Sequence, residues 1–587
     1  MKTVGREFLC VVAMATMSLA LNAQQKSASA VHENRNWWKN AVIYEIYPRS
    51  FQDSNGDGIG DLNGITSRLD YLEKLGVDAI WLTPIYPSPQ VDFGYDIADY
   101  EKIDPQYGTM ADFDRLVAEG HKRHIGIIMD LVLNHTSDQH PWFKESASSS
   151  NNPKADWYVW HDPKMVNGKP EPPNNWESVF GHSAWQWDPA RKQYYYHRFY
   201  IQQPDLNWNN PAVRKAMYDV ERFWIQRGVV GFRLDAITSL FEDPQWRDEE
   251  YVRGPDGKPL INAFGDPVVN TSLTDDLPKV HDVIRELRQV ADETKGRKVI
   301  LIGETYLRAI DDLRKWYGAK NDELDLPMDL QVGFPPARNN MLDTAYFRDR
   351  INEAETELGG RMPLIVFDNH DNPRWDRYVN DDHFEDVGRV IATILFATRD
   401  TAMMYYGDAI GMKTTPPTRK EDVKDPIGIT GWPKQKGRDG ERTPMQWDDG
   451  TNAGFSTAAK TWLPIPESYK QVNVAAEEKD PNSLLHWYQQ LISLKKNDAA
   501  LHDGSETMLN TNDQHVLSWL RKAPNGEAVV VAVNMTPQPQ TASFNLKQQG
   551  VNRFHVKTLL KTPGAQDPLS LDLVQLGPYG VWVGKVE

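Results

Sequence analysis

Short apolar runs alternate with amphipathic stretches along most of this chain, the pattern of parallel strands joined by helices. Eight runs read as strands: residues 42–47, 79–82, 125–131, 229–234, 299–302, 329–332, 364–367 and 402–406. Residues 66–74, 111–123, 211–226, 278–293 and 387–397 lie between most of them. Each places apolar side chains three or four apart, as one buried helix face requires. The pattern predicts an α/β fold, a (β/α)8 TIM barrel.

Two regions leave this rhythm. After the third run comes a long stretch rich in Pro, Asn, Trp and Tyr, and a connection of that length carries structure of its own. Residues 135–207 are therefore expected to form a small inserted domain. Its aromatic residues Trp157, Trp160, Trp176, Trp185, Trp187, Tyr194, Tyr195 and Tyr196 suit either that domain's core or a face that stacks on a ring-shaped ligand. Beyond the amphipathic stretch 483–496, the runs 515–520, 527–533, 541–544, 554–559 and 580–583 are short, β-type and broken by turns. They predict a C-terminal antiparallel β-sandwich over residues 503–587, leaving 36–134 and 208–502 to the barrel. Residues 413–462, dense in Gly, Pro and charge, read as an elaborated loop after the last strand, at the end of a barrel where loops carry function.

Composition narrows the class of partner. The 587 residues are 40% hydrophobic and 25% charged, enough for a large core and at least one companion domain. A net charge of -17 repels polyphosphate at long range, which excludes nucleic acid and an anionic membrane as partners and leaves a neutral ligand unaffected. At the N-terminus, Lys2 and Arg6 precede an apolar stretch over 8–21, and Ala23 offers a cleavage site, so residues 1–23 read as an export signal. The expected location is periplasmic or secreted, and no later segment reaches the apolar length of a spanning helix. Cys10, the only cysteine, falls inside that signal. Nothing in the sequence assigns an oligomeric state.

The chemistry sits at the ends of the apolar runs. Asp235 closes GFRLDAI, Glu304 closes VILIGET and Asp371 closes VFDNHD. One such carboxylate alone fits a turn or a helix cap. Three in order, with Arg233, His135 and His370 beside them, point to glycosidic bond cleavage, which needs a proton on the leaving oxygen and negative charge beneath the anomeric carbon. Arg233, two residues before Asp235 on an extended strand, points the same way and can hold the nucleophile. A structural salt bridge is its alternative, as a satisfied buried ring is for each histidine.

These segments resemble the α-amylase family, glycoside hydrolase family 13. DLVLNH at 130–135, GFRLDA at 231–236, GET at 303–305 and DNHD at 368–371 stand in the family's order. QPDLN at 203–207, RTPMQW at 442–447 and FGYDIADY at 93–100 are further similar to its oligo-1,6-glucosidase and α-glucosidase subfamily. The resemblance implies Asp235 as nucleophile, Glu304 as acid and then base with a raised pKa, and Asp371 as a third carboxylate gripping ring hydroxyls. It implies sugar contacts from His135 and His370, a stacking platform at Tyr95, clamps on the non-reducing end at Asp92 and Arg442, and a contact from Phe180. It departs at Ala409, where YYGDAIGM stands against the family's YYGDEIGM. No catalytic carboxylate is lost by that change.

DSNGDGIGD at 53–61 places Asp53, Asn55, Asp57, Ile59 and Asp61 at alternate positions, as a Ca2+ or Mg2+ loop does. An Asx-rich turn without metal is the other reading. The resemblance implies a structural metal and no organic cofactor. The expected function is a retaining exo-acting α-glucosidase acting on short α-glucosides, with α-1,4 bonds favoured because Ala236 follows the nucleophile. A glucosyl-transferring or isomerising enzyme of the trehalose synthase or sucrose isomerase type shares the triad, and a non-catalytic binding protein would have lost it.

Overall fold

The computed structural model describes residues 36–307, 309–334, 342–379 and 382–587. The export signal and Cys10 lie outside the described residues. Eight parallel strands close a barrel: β1 (Val42–Ile46), β2 (Ala79–Leu82), β3 (Gly126–Val132), β4 (Gly231–Asp235), β5 (Ile300–Gly303), β6 (Leu326–Asp329), β7 (Leu364–Val366) and β8 (Thr401–Tyr405). Each strand pairs with its neighbours in chain order, and β1 closes on β8.

The strands read as continuous apolar runs because both faces are buried. Ile43, Ala79, Trp81, Ile128, Ile300, Ile302, Leu326, Met328, Leu364, Val366 and Met403 pack together inside the barrel. Val42, Tyr44, Ile80, Leu82, Ile127 and Met129 face the surrounding helices. That alternation sets the site. One step beyond the apolar layer, the inward positions become Glu45, Asp130 and Arg233, with Asp130 directly beside Arg233 and Glu45 beside Trp81 in the ladder.

One strand lies elsewhere than the pattern suggests. Residues 329–332 read as the sixth strand, but the strand is Leu326–Asp329 and Leu330–Gly333 is a helical turn. Asp329 ends the strand by accepting from the Gln331 N–H at 3.1 Å, the bond of an N-cap.

Between β3 and the helix Pro211–Gln226 lie a three-stranded sheet and a two-stranded hairpin. Most of the inserted aromatics are core. Trp176, Trp185, Tyr194 and Tyr196 form one buried cluster, with Trp176 and Trp185 stacked at 5.8 Å. Tyr195 packs on Phe143 and Trp160. The C-terminal residues form a five-stranded antiparallel sheet and a two-stranded one, with their own apolar cluster around Val530, Phe544 and Trp582. No helix among the described residues is long and apolar enough to cross a membrane.

Candidate active site

Arg233 is the hub of the site, and it is wholly buried. Its Nη1 reaches Asp235 Oδ1 at 2.5 Å and Asp130 Oδ2 at 3.1 Å, and its Nη2 reaches Glu304 Oε1 at 2.5 Å. The guanidinium also lies over the Trp81 ring, 4.9 Å from its centre. A planar fork suits this task because it fixes several carboxylates at once. Asp235 and Glu304 are each 7% exposed, whereas Asp130 and Arg233 are at 0%, so the first pair can meet a ligand and the second supports it.

Glu304 follows the end of β5, and its N–H extends the ladder to Leu234 O at 3.1 Å. Its Oε2 accepts from the Ala236 N–H at 2.8 Å. Ala236 sits in left-handed backbone, φ 45° and ψ 36°, which turns that N–H toward the acid instead of along the strand. Burial raises the Glu304 pKa to about 7, with Asp235 and Asp371 adding to the rise against Arg233. Burial raises Asp235 to about 7 as well, opposed by Arg233 and helped by Asp130 and Asp371. Asp130 is held up at about 6, again chiefly by burial. Carboxylates this crowded cannot all ionise together, so the site keeps a proton near neutral pH.

Asp371 is arranged in the opposite sense. Burial would raise its pKa, but His370, Arg438 and Arg442 hold it well below the usual carboxylate range. Arg442 donates to Asp371 Oδ1 at 2.9 Å and to His370 O at 2.7 Å. His370 is raised to about 9 by Asp371 and Glu45 against its burial, so it is cationic at neutral pH. Its Nδ1 meets Glu45 Oε1 at 2.6 Å, while its Nε2 lies 3.2 Å from Asp371 Oδ2, poorly aligned for a hydrogen bond. The ring stacks on Tyr95 at 5.2 Å and 6°. Tyr95 is fixed from its other end by donating to Asp130 Oδ2 at 2.9 Å.

His135 is a different histidine. Burial lowers its pKa to about 3, so it is neutral. Its Nδ1 lies 2.9 Å from Asn134 Oδ1, and its Nε2 lies 3.1 Å from both the Tyr95 carbonyl and the Gln203 amide nitrogen. Gln203 also donates to Asp92 Oδ2 at 3.1 Å, joining His135 to Asp92.

The arginine that meets Asp92 is Arg438. Sequence reasoning made Asp92 and Arg442 both clamps on the non-reducing end, and the Arg442 guanidinium goes to Asp371 and the His370 carbonyl. Arg438 Nη2 lies 2.7 Å from Asp92 Oδ1, and its Nη1 lies 2.7 Å from Asp371 Oδ1. Phe180 packs beneath it, its ring centre 5.3 Å from the guanidinium carbon. Arg438 was missed, although it stands four residues before Arg442 in the same GRDGERTPMQW segment. Gln203 belonged to a quoted motif and was given no role.

The 53–61 loop is closed by its own hydrogen bonds. Asp53 accepts from the N–H groups of Asn55, Gly56 and Gly58 at 2.7–2.9 Å, and Asp61 caps the helix Leu62–Ser67 through the Gly64 N–H at 2.8 Å. Among the described residues no group of three or more His, Cys, Asp or Glu side chains is placed to hold a metal. An ion here would also need the Asn55 amide and the Ile59 carbonyl. That all-oxygen set fits a hard cation, although Asn55 already turns its amide to Asp57 at 3.1 Å. A cavity of about 710 Å3 lined by Trp160, Phe241 and Trp246 shares no residue with the carboxylate site.

The catalytic domain of the alpha amylase family matches residues 45–504. This chain belongs to that family. It is 39% identical over 540 residues to a probable alpha-glucosidase of Rhizobium meliloti (strain 1021), covering 90% of this chain and 94% of that one. It is 38% identical over 582 residues to an oligo-1,6-glucosidase of Parageobacillus thermoglucosidasius, covering 94% and 99%. Among solved structures, the alpha-glucosyl transfer enzyme XgtA superposes with a TM-score of 0.83 at 36% identity over 94% of this chain and 99% of its own. The trehalulose synthase MutB from Pseudomonas mesoacidophila MX-45 does so with 0.82 at 34%, over 94% and 99%. The chain is therefore a glycoside hydrolase of the alpha-glucosidase and oligo-1,6-glucosidase type, built on the family's barrel.

Proposed function

We propose that this enzyme is a retaining, exo-acting α-glucosidase that removes terminal glucose from maltose and short malto-oligosaccharides, with α-1,4 bonds favoured and some α-1,6 cleavage. The observation that carries the reading is the Asp92–Arg438–Asp371 chain of ion pairs, beside the Asp235 and Glu304 carboxylates. It gives the pocket a charged end wall suited to the hydroxyls of a terminal sugar.

In the first step Asp235 attacks the anomeric carbon while Glu304 gives its proton to the departing oxygen. The C–O bond to the leaving sugar breaks with its electron pair, and a β-glucosyl ester forms on Asp235. Glu304, now ionised, takes a proton from water as its oxygen attacks the same carbon and expels Asp235. Two inversions release α-glucose. The raised pKa of Glu304 suits both halves of this cycle. Tyr95, held by Asp130 and His370, offers a ring for stacking, and the poorly satisfied Nε2–H of His370 is available to a sugar hydroxyl.

Ala236 supports the α-1,4 preference. Its single methyl beside the nucleophile leaves room for a secondary-alcohol leaving sugar. Ala236→Val should shift the maltose to isomaltose ratio toward isomaltose by about 1–3 kcal/mol, the scale of small apolar changes in a pocket. A wild type that already prefers isomaltose, or a ratio unmoved by the substitution, would remove that support.

A second reading comes from the solved structures, two of which are named for glucosyl transfer and trehalulose synthesis. In it the glucosyl enzyme passes its sugar to an acceptor other than water. Incubation with maltose, sucrose and isomaltose, with products followed by NMR, separates the two: free glucose supports hydrolysis, and isomerised disaccharides support transfer. We further propose a structural Ca2+ or Mg2+ held by Asp53, Asn55, Asp57, Asp61 and the Ile59 carbonyl, and export through the segment 1–23.

A further inference from the structure

Arg438 meets three carboxylates, and only two of them border the sugar pocket. The third, Asp425, is completely buried. Its Oδ1 accepts from Arg438 Nη2 at 2.7 Å, and its Oδ2 from Arg438 Nε at 3.0 Å and from the Arg438 backbone N–H at 2.6 Å. The same side chain begins the short helix Pro426–Gly431. Asp439 Oδ2 accepts from the N–H groups of Lys424 and Asp425 at 2.6 and 3.2 Å, so residues 424–425 and 438–439 are lashed to each other twice. The approach is tight enough to demand bare backbone: a Cβ at Gly437, where φ is 80°, would lie 2.7 Å from Asp425 Oδ2.

This geometry determines which way the guanidinium faces. Asp425 takes Nε and shares Nη2, which leaves Nη1 for Asp371 and the second contact of Nη2 for Asp92. Asp92 and Asp371 alone would hold the fork by its tips and let it rotate. A fork gripped on its Nε side has one orientation.

We propose that Asp425 is a positioning residue of the glucose pocket, setting through Arg438 the wall that recognises the terminal sugar, without touching that sugar itself. This deepens the α-glucosidase reading above and rests on it. The consequence is a specific dependence: Asp425 matters to the reaction only while Arg438 is present.

The test is a double-mutant cycle on 4-nitrophenyl α-glucoside, whose activated leaving group keeps residual rates measurable. Asp425→Asn should lower kcat/KM by about 100-fold, with most of the loss in KM, the scale of a misplaced positioning group. Arg438→Met should lose a similar factor, and the double variant should lose no more than Arg438→Met alone. Melting temperatures are read in parallel. Should Asp425→Asn not fold, Asp425→Ser keeps a helix-capping oxygen and replaces it in the cycle. Losses that multiply in the double variant, or an Asp425→Asn enzyme with wild-type kinetics, would overturn the inference. A wild type inactive on any α-glucoside would instead remove the reading beneath it.

Discussion

Two regions of this molecule bury charge, and they do so in opposite ways. At the seam between the barrel and the C-terminal sheet, Lys495 and Arg521 are both wholly buried. Lys495 donates to the carbonyls of Thr398 and Asp400 at 3.2 and 2.8 Å, and Arg521 to those of Ala397 and Gly504 at 3.1 and 3.0 Å. Their hydrogen-bond partners are all backbone carbonyls, which cannot change protonation or move away, and the Glu506 carboxylate stands off at 3.9 Å from Arg521. At the open end of the barrel, Arg233, His370, Arg438 and Arg442 meet carboxylates, and burial and the carboxylates' mutual repulsion raise the pKa of Asp235 and Glu304. Buried charge alone is thus no mark of catalysis. The informative feature is a partner that can trade a proton or a contact when a ligand arrives.

The strongest challenge to this contrast is removal of the nucleophile. Asp235→Asn should lower turnover by about 10⁴-fold or more while melting stays near the wild-type value. Glu304→Gln should let a glucosyl enzyme accumulate from 4-nitrophenyl α-glucoside, with added azide releasing β-glucosyl azide. Full activity in either variant removes that residue from the mechanism.

The seam should respond the other way round. Lys495→Met keeps the volume but strips two carbonyls of their donor, and should destabilise the fold by about 1–3 kcal/mol, read by denaturant titration. Its kcat/KM should stay within about threefold of wild type, since nothing at the seam trades partners with substrate. A Lys495 variant that slowed turnover a hundredfold without losing stability would erase the distinction.

Proton linkage sharpens the contrast further. Glu304, raised to about 7, must be protonated to act, so kcat/KM should fall as pH rises past that value. His370 is raised from 6.5 to about 9. Its contribution to stability is therefore full below pH 6.5 and lost as pH climbs through 9. Melting curves from pH 6 to 10 should show that loss in the wild type, and His370→Asn should flatten it. A variant whose alkaline slope matches the wild type would deny His370 its charge. The smallest effect belongs to the 53–61 loop: a chelator should lower the melting temperature by a few degrees and leave initial rates at low temperature unchanged. No change in melting, with no metal on elemental analysis, would make the loop a turn.

The barrel and its three carboxylates were legible because both follow from periodicity. A strand buried on two faces must be apolar, and the charges that gather at its end stand where the core gives way to the pocket. Arg438 was not legible for the converse reason. It sits in a loop crowded with charge, and its partner Asp92 is 346 positions away, so nothing local separates it from a solvated arginine. Arg442 was expected as a clamp on the terminal sugar, and its guanidinium contacts Asp371 and the His370 carbonyl. Gln203 was hidden by its chemistry, since an amide linking two polar groups leaves no pattern in sequence. The sixth strand was placed at 329–332, three residues late, because LQV continues the apolar run past Asp329, whose side chain caps a helical turn there.

The bond from the Ala236 N–H to Glu304 has an evolutionary side. It ties the acid to the backbone of the residue after the nucleophile, so the spacing of the two reacting groups is inherited with two neighbouring strands and their ladder. Loops can then lengthen, shrink or be replaced while that spacing is passed on intact. A barrel built this way leaves what it accepts, and where it delivers it, to the parts above the ladder. Change at the rim can therefore alter what the site meets without moving the two groups that react.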